Sequence, residues 1–285
     1  MPQELKNTLL HTAESLPSQR DSLYILLDGA QMNAPLFAYS NDDSPVVEPL
    51  YLGTRHETAI SVSPCLIKPS AQSRLWQQRD QWQSKGVVLR CSEPMPVLKQ
   101  HLQSLVSIRL PNQQLAYCRY YSPTWLVRLL NSLSAAELSA WSGPVQGWYA
   151  RASDGWVSAQ LETLGVVRKS EEEGWFALKQ EQLDLWQAEE RERFIDRSAA
   201  YLGCETPLSE IGRDQRTAVA ALTSEAHKRG FVLEYQCLQY LELAWRFPRE
   251  LKSPNMTRLL SDQEQGPDQR LELAEQQLFG LNKDV

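Results

Sequence analysis

The sequence predicts an α+β fold: an N-terminal α/β lobe with a small central sheet flanked by helices, followed by a mainly helical C-terminal lobe. Three observations carry this. Residues 23–27 (LYILL) are a continuous apolar run ending abruptly in Asp28 and Gly29, the pattern of a strand buried on both faces. Residues 87–91 (VVLRC) are a second short run of the same kind, set between segments of helical periodicity. From about Glu181 onward the apolar spacing is helical.

Taken in order, the first strand is followed by YSNDDSPVVEP, which reads as a polar, acidic loop. Residues 70–84 (SAQSRLWQQRDQWQS) predict a helix with Leu75 and Trp82 on one side, ended by Gly86. After the 87–91 strand, Ser92 is placed to cap a helix with Pro94 in its first turn. Leu98, Leu102 and Leu105 then recur at i, i+4 and i+7 as a buried stripe. Residues 107–110 and 115–121 predict a hairpin around PNQQ. In its second strand Tyr117, Arg119 and Tyr121 share one face, and Ala116, Cys118 and Tyr120 the other. Ser122-Pro123 is an N-cap followed by a proline at N1, opening a helix whose core face is Leu126, Leu129, Leu130 and Leu133. Ser134 with Glu137 makes a capping box for the next helix.

SGPVQG, residues 142–147, reads as a linker. It gives a three-part organisation: an N-terminal extension over 1–21, the α/β lobe over 22–145 and the helical lobe over 146–285. Past the linker, WYARASDGWVSAQL and GWFALK predict short strands around turns at Asp154-Gly155 and Gly174. Ile195, Ala199 and Leu202 share one helical face, and Val219, Leu222 and Ala226 another, with Lys228 and Arg229 in the last turn and Gly230 just past it. Leu238, Leu241 and Trp245 define a helix that stops near Pro248, and Leu271, Ala274 and Leu278 a last amphipathic stretch.

The bulk numbers narrow the function. A length of 285 residues suggests about two domains, large enough to bury a core without disulfide or metal. The five cysteines, Cys65, Cys91, Cys118, Cys204 and Cys237, are widely spread with no CxxC pair, so neither a zinc site nor a disulfide framework is indicated. A net charge of −6 disfavours nucleic acid as a partner. No apolar run approaches the roughly 20 residues that span a bilayer. The polar N-terminus lacks the pattern of a signal peptide. The cytoplasm is therefore the expected compartment, with no membrane insertion.

The chain lacks a phosphate-binding GxxxxGK[ST] loop, a GxGxxG after a strand, HExxH and GxSxG. Its four histidines, His11, His56, His101 and His227, have no ligand spacing among them. No cofactor or metal is expected. Asp28 at a strand end has two readings, a general base or metal ligand and an acid that orders the following turn with Gly29 relieving backbone strain. The second is preferred, because a catalytic acid needs partners that the sequence does not offer. Arg119 could bind an anionic ligand or pair with Asp28 inside the lobe, as buried charges require; the internal pair is preferred. Of the nine tryptophans most belong to the core. Trp76 and Trp82, six apart on one expected helix, do not share a narrow stripe, so at least one of them, together with Trp125, is a candidate surface anchor. An enzyme built on Asp28, His56 and Arg119, such as a small-molecule hydrolase, is the competing class.

The order of segments adds a family. LYILLDGAQ, then PLYLGTRHETAISVSPCLIKP, then KGVVLRCSEPMPVLKQHLQSLVSIRLPNQQLAYCRYYSPTWLVRLLNSL, then WSGPV resembles the adaptor (chaperone) family of bacterial type VI secretion, catalogued as domain of unknown function four-one-two-three. The resemblance covers about residues 22–145. Asp28, Pro64 with Leu66, Arg109 with Leu110 and Pro111, and Arg119 with Pro123 stand at its motif positions. Ser122 replaces a common acid, and PNQQ the usual "PDG" turn. The resemblance implies a non-catalytic protein that binds a toxic secreted effector in the cytoplasm and helps load it onto a VgrG-type spike protein. The first lobe is expected to grip the effector.

Overall fold

The computed structural model describes residues 11–13, 16–17, 22–203 and 215–280. Two compact units divide the chain, Met1–Leu185 and Trp186–Val285.

The first unit is built on a seven-stranded antiparallel sheet. Its strands in chain order are β1 (His11–Ala13), β2 (Leu23–Leu27), β3 (Val46–Pro49), β4 (Cys65–Lys68), β5 (Gly86–Arg90), β8 (Gly147–Ala152) and β9 (Gly155–Gln160), and they lie side by side as β1-β9-β8-β5-β2-β4-β3. A separate hairpin holds β6 (Ser107–Arg109) and β7 (Leu115–Tyr117). The continuous apolarity of β2 is explained by its place: it pairs with β5 and β4 and is buried along its whole length. Leu23, Ile25 and Leu27 face a core with Val88, Tyr149, Trp76, Trp82 and Trp156. On the other face Tyr24 pairs across to Leu89 and on to Trp148, which stacks at 4.8 Å on Trp141.

Helices cover the sheet: α1 (Ala34–Asn41), α2 (Arg79–Trp82), α3 (Met95–Ser104), α4 (Pro123–Ser132) and α5 (Ala135–Ser142). Both Ser-led starts are present, with Ser122 as N-cap before Pro123 and the Ser134–Glu137 capping box. The α3 stripe of Leu98, Leu102 and Leu105 is buried, but the helix is capped at Pro94 rather than Ser92.

Several expectations are corrected. The expected acidic loop over 39–49 begins inside the last turn of α1, a helix capped by the Asn33 side chain, and ends in the edge strand β3. The helix expected over 70–84 is broken into a 3-10 turn, Arg74–Trp76, and the four-residue α2. The Trp82 indole N–H reaches back to the Leu75 carbonyl at 2.9 Å, so the segment folds over on itself instead of running straight. That fold puts both Trp76 and Trp82 in the core, edge to face at 6.2 Å, and neither is a surface anchor. SGPVQG is not a linker. Gly143, Pro144 and Val145 are buried, and Gln146 N–H donates to the Arg90 carbonyl, feeding β8 onto β5. The first unit therefore extends to Leu185 instead of ending at 145. Part of the 1–21 extension, β1, is a strand of its sheet. Cys204 lies outside the described residues; Cys65, Cys91, Cys118 and Cys237 are buried free thiols.

The division at Leu185 falls within α6 (Gln180–Gly203). The second unit continues with α7 (Gln215–Lys228), α8 (Glu234–Arg246), α9 (Pro254–Ser261) and α10 (Pro267–Leu278). Ile195, Leu202 and Val219 pack with Leu241 and Trp245 as the periodicity predicts, and Gly230 follows α7 with φ of 86°. The mainly helical C-terminal part is thus present, beginning later than expected.

Candidate functional site

β2 delivers Asp28 to the end of the sheet. The carboxylate is 1% exposed and is held by three donors. Oδ1 accepts from the Ala30 N–H at 3.0 Å; Oδ2 accepts from Gln31 Nε2 at 2.9 Å and from Arg119 Nη2 at 2.7 Å. The first bond closes an Asx turn. Gly29 is required by crowding rather than by strain: a Cβ there would lie 2.0 Å from the Ser63 carbonyl oxygen.

Arg119 meets Asp28 as expected but comes from outside, with its side chain 48% exposed. The hydrogen bond with Asp28 raises its pKa above the ordinary arginine value. The alternation expected along 117–121 stops where β7 ends, at Tyr117; Tyr120 and Tyr121 are both buried. The Tyr121 and Tyr51 hydroxyls lie 3.5 Å apart, and burial pushes both phenols up.

His56 belongs to a second knot. Its Nε2 is 2.6 Å from Glu173 Oε1 and its Nδ1 is 3.2 Å from the Tyr117 hydroxyl. Arg55 Nη2 donates to Glu173 Oε1 at 3.0 Å and to Ser107 Oγ at 2.8 Å. Burial acts to raise the Glu173 carboxyl, but hydrogen bonds with Ser107, His56 and Arg55 outweigh it and hold it below its ordinary value. The Tyr51 ring touches the His56 ring, centroids 5.5 Å apart, and so links the two knots.

Asp28, His56 and Arg119 therefore do not form one constellation. Asp28 takes Arg119, and His56 takes Glu173 and Tyr117. Each charge is spent on holding loops to the sheet end. Glu173, Arg55 and Tyr51 carry no local sequence signal. Glu173 sits in an acidic run and meets a histidine 117 positions away. Trp125 lies half-buried on α4. Among the described residues no group of His, Cys, Asp or Glu is arranged to hold a metal, and no helix is long and apolar enough to cross a membrane.

Beside the Asp28 turn lies a cleft of about 590 Å³. Ala30, Met32, Pro35, Pro49, Ile60 and Cys65 are among the residues that line it. Leu36, Tyr39, Val46, Leu52, Ile60 and Val62 of the same unit are exposed, and Ile60 also lines the cleft.

Residues 23–140 match the family model described as Domain of unknown function (DUF4123). No curated protein and no solved structure matches the chain.

Proposed function

We propose that this protein is a non-catalytic adaptor of type VI secretion, which binds a toxic effector in the cytoplasm and helps load it onto a VgrG-type spike. The observation that carries this reading is the family match over residues 23–140. Its motif positions also make physical sense as scaffold. Asp28 and Arg119 are one ion pair, Arg109 ties the β6–β7 hairpin to the Gly174 carbonyl, and Pro123 opens α4. Residues devoted to holding loops leave recognition to the surface, and the same unit exposes several large apolar side chains, Leu36 and Tyr39 among them. An interface of about 1,600 Å² covers micromolar to picomolar affinity depending on its anchors, a range that allows cargo to be held and then released.

The test is co-purification of the tagged full chain with the products of its neighbouring genes. The adaptor reading expects a toxin-like and a spike-like protein in the eluate. Recovery of neither, from folded chain with both expressed, contradicts it.

A further inference from the structure

We propose that a cleft in the second unit, between the end of α7 and the start of α10, binds a phosphate group. The inference goes beyond the adaptor reading and does not depend on it.

The cleft has a volume of about 410 Å³ and is lined by four basic side chains, His227, Lys228, Arg229 and Arg270, against one carboxylate, Glu264. The end of α7 supplies the first three and α10 supplies Arg270. Arg229 is engaged by Glu225 at 2.9 Å, whereas among the described residues no carboxylate pairs with Lys228 or Arg270. Asp262 accepts from the Glu264 N–H and from Gln265 Nε2, and Asp268 from Tyr235 and Gln236. Partial burial and the nearby Arg191 charge hold the His227 ring below its ordinary pKa, so Lys228 and Arg270 carry the unpaired positive charge of the cleft at neutral pH.

The decisive group is Arg270, which is only 4% exposed. Its guanidinium lies over the Phe231 ring at 4.8 Å, and its Nη1 donates to the Arg229 and Leu260 carbonyls. Its Nε is buried without a partner, and its Nη2 lies beside Gly230, 3.5 Å from where a Cβ there would stand. Nε and Nη2 share one edge of the guanidinium, the edge that takes an oxyanion through two parallel hydrogen bonds. A buried cation with donors left open is costly unless a ligand fills them. Arg229 Nε is a second buried donor without a partner, and Gln265 Oε1 is a buried acceptor without one. Gly266, the cap of α10, makes no side-chain cap bond, so the positive end of that helix adds to the field.

The complementary ligand accepts several hydrogen bonds and donates one. A phosphate bearing a P–OH does both, whereas sulfate and carboxylate ions at neutral pH only accept. The volume also leaves room for a phosphate carried on a larger molecule.

The test is isothermal titration calorimetry of the full chain with inorganic phosphate, sulfate and acetate at neutral pH. Phosphate is expected to saturate by about 10 mM, with sulfate and acetate at least about threefold weaker. Lys228→Gln is expected to weaken phosphate binding by at least about threefold and Glu264→Gln to tighten it, opposite effects that a general loss of fold does not produce. Lys252→Gln, at an exposed site outside the lining, should leave binding unchanged. Glycerol phosphate distinguishes the two sources of the group. Tighter binding than inorganic phosphate assigns a phosphate carried on a larger molecule, equal or weaker binding assigns the free ion, and either result supports the site. No saturation by phosphate, equal binding of sulfate or acetate, or Lys228→Gln and Glu264→Gln chains that bind phosphate like the wild type would overturn the proposal.

Discussion

Arg119 is half-exposed, yet its partner Asp28 is buried. The asymmetry sets the cost of removing the arginine: the carboxylate would keep the Ala30 and Gln31 donors and lose its counter-charge. Arg119→Ala is expected to lower stability by about 1–2 kcal/mol in urea denaturation, because a buried charged acceptor loses a bond while solvent near the arginine moderates the loss. An unchanged midpoint would show that the pair holds nothing. A second residue carries a pH dependence. His101 is fully buried, and burial pushes its pKa down to about 4. Its Nδ1 accepts the Arg168 N–H at 3.1 Å and its Nε2 lies 3.0 Å from the Trp141 carbonyl, so the pocket fits the neutral ring with the proton on Nε2. The unfolded chain takes up the proton near the ordinary value of about 6.5, before the folded chain does, so stability is full above that pH and falls as pH drops toward 4. By pH 5 this one ring should remove about 2 kcal/mol, and His101→Gln should flatten that part of the stability–pH curve. Asp28 and Arg119 could be paired from the sequence because each was a lone charge in an apolar setting. His56 and Glu173 could not, since nothing local relates them.

Elements were legible where their signals are local. Ser122-Pro123 and Ser134–Glu137 mark α4 and α5 correctly, the first because a proline at N1 has its φ already set for a helix, the second because the capping box is a contact between near neighbours. Ser134→Ala is expected to cost about 1 kcal/mol by thermal or urea denaturation. The helix expected over 70–84 is interrupted because the Trp82 indole takes the Leu75 carbonyl, with Trp82 packed against Trp156, a contact that periodicity does not encode. α1 carries no signal in the sequence because it has no amphipathic pattern. In the second unit, Arg270 is buried over the Phe231 ring, and its Nη1 donates to the Arg229 and Leu260 carbonyls, beside the ends of α7 and α9. Replacing it with leucine leaves both carbonyls without that donor and should cost about 2–3 kcal/mol, seen as a lowered urea midpoint.

At the scale of the whole molecule, the sequence supports the α+β class but misplaces the division. Strand runs in 147–160 look the same whether they start a new lobe or complete an old sheet. Only their register against β5, Val88 opposite Tyr149, settles which. The same limit applies to function. The ordered motifs of residues 23–140 agree with the family match, whereas the partner surface is a property of assembled elements. The proposed role is to deliver a cargo without chemistry of the chain's own. Its most direct test is the export of the neighbouring toxin from cells that lack this gene, with and without a copy restored in trans. The adaptor account predicts that the toxin is made but not exported without the chain, while the secretion tube still fires, and that His56→Gln chain restores export as well as wild type. Normal export in the deletion strain, or rescue by wild type but not by a folded His56→Gln chain, would contradict it.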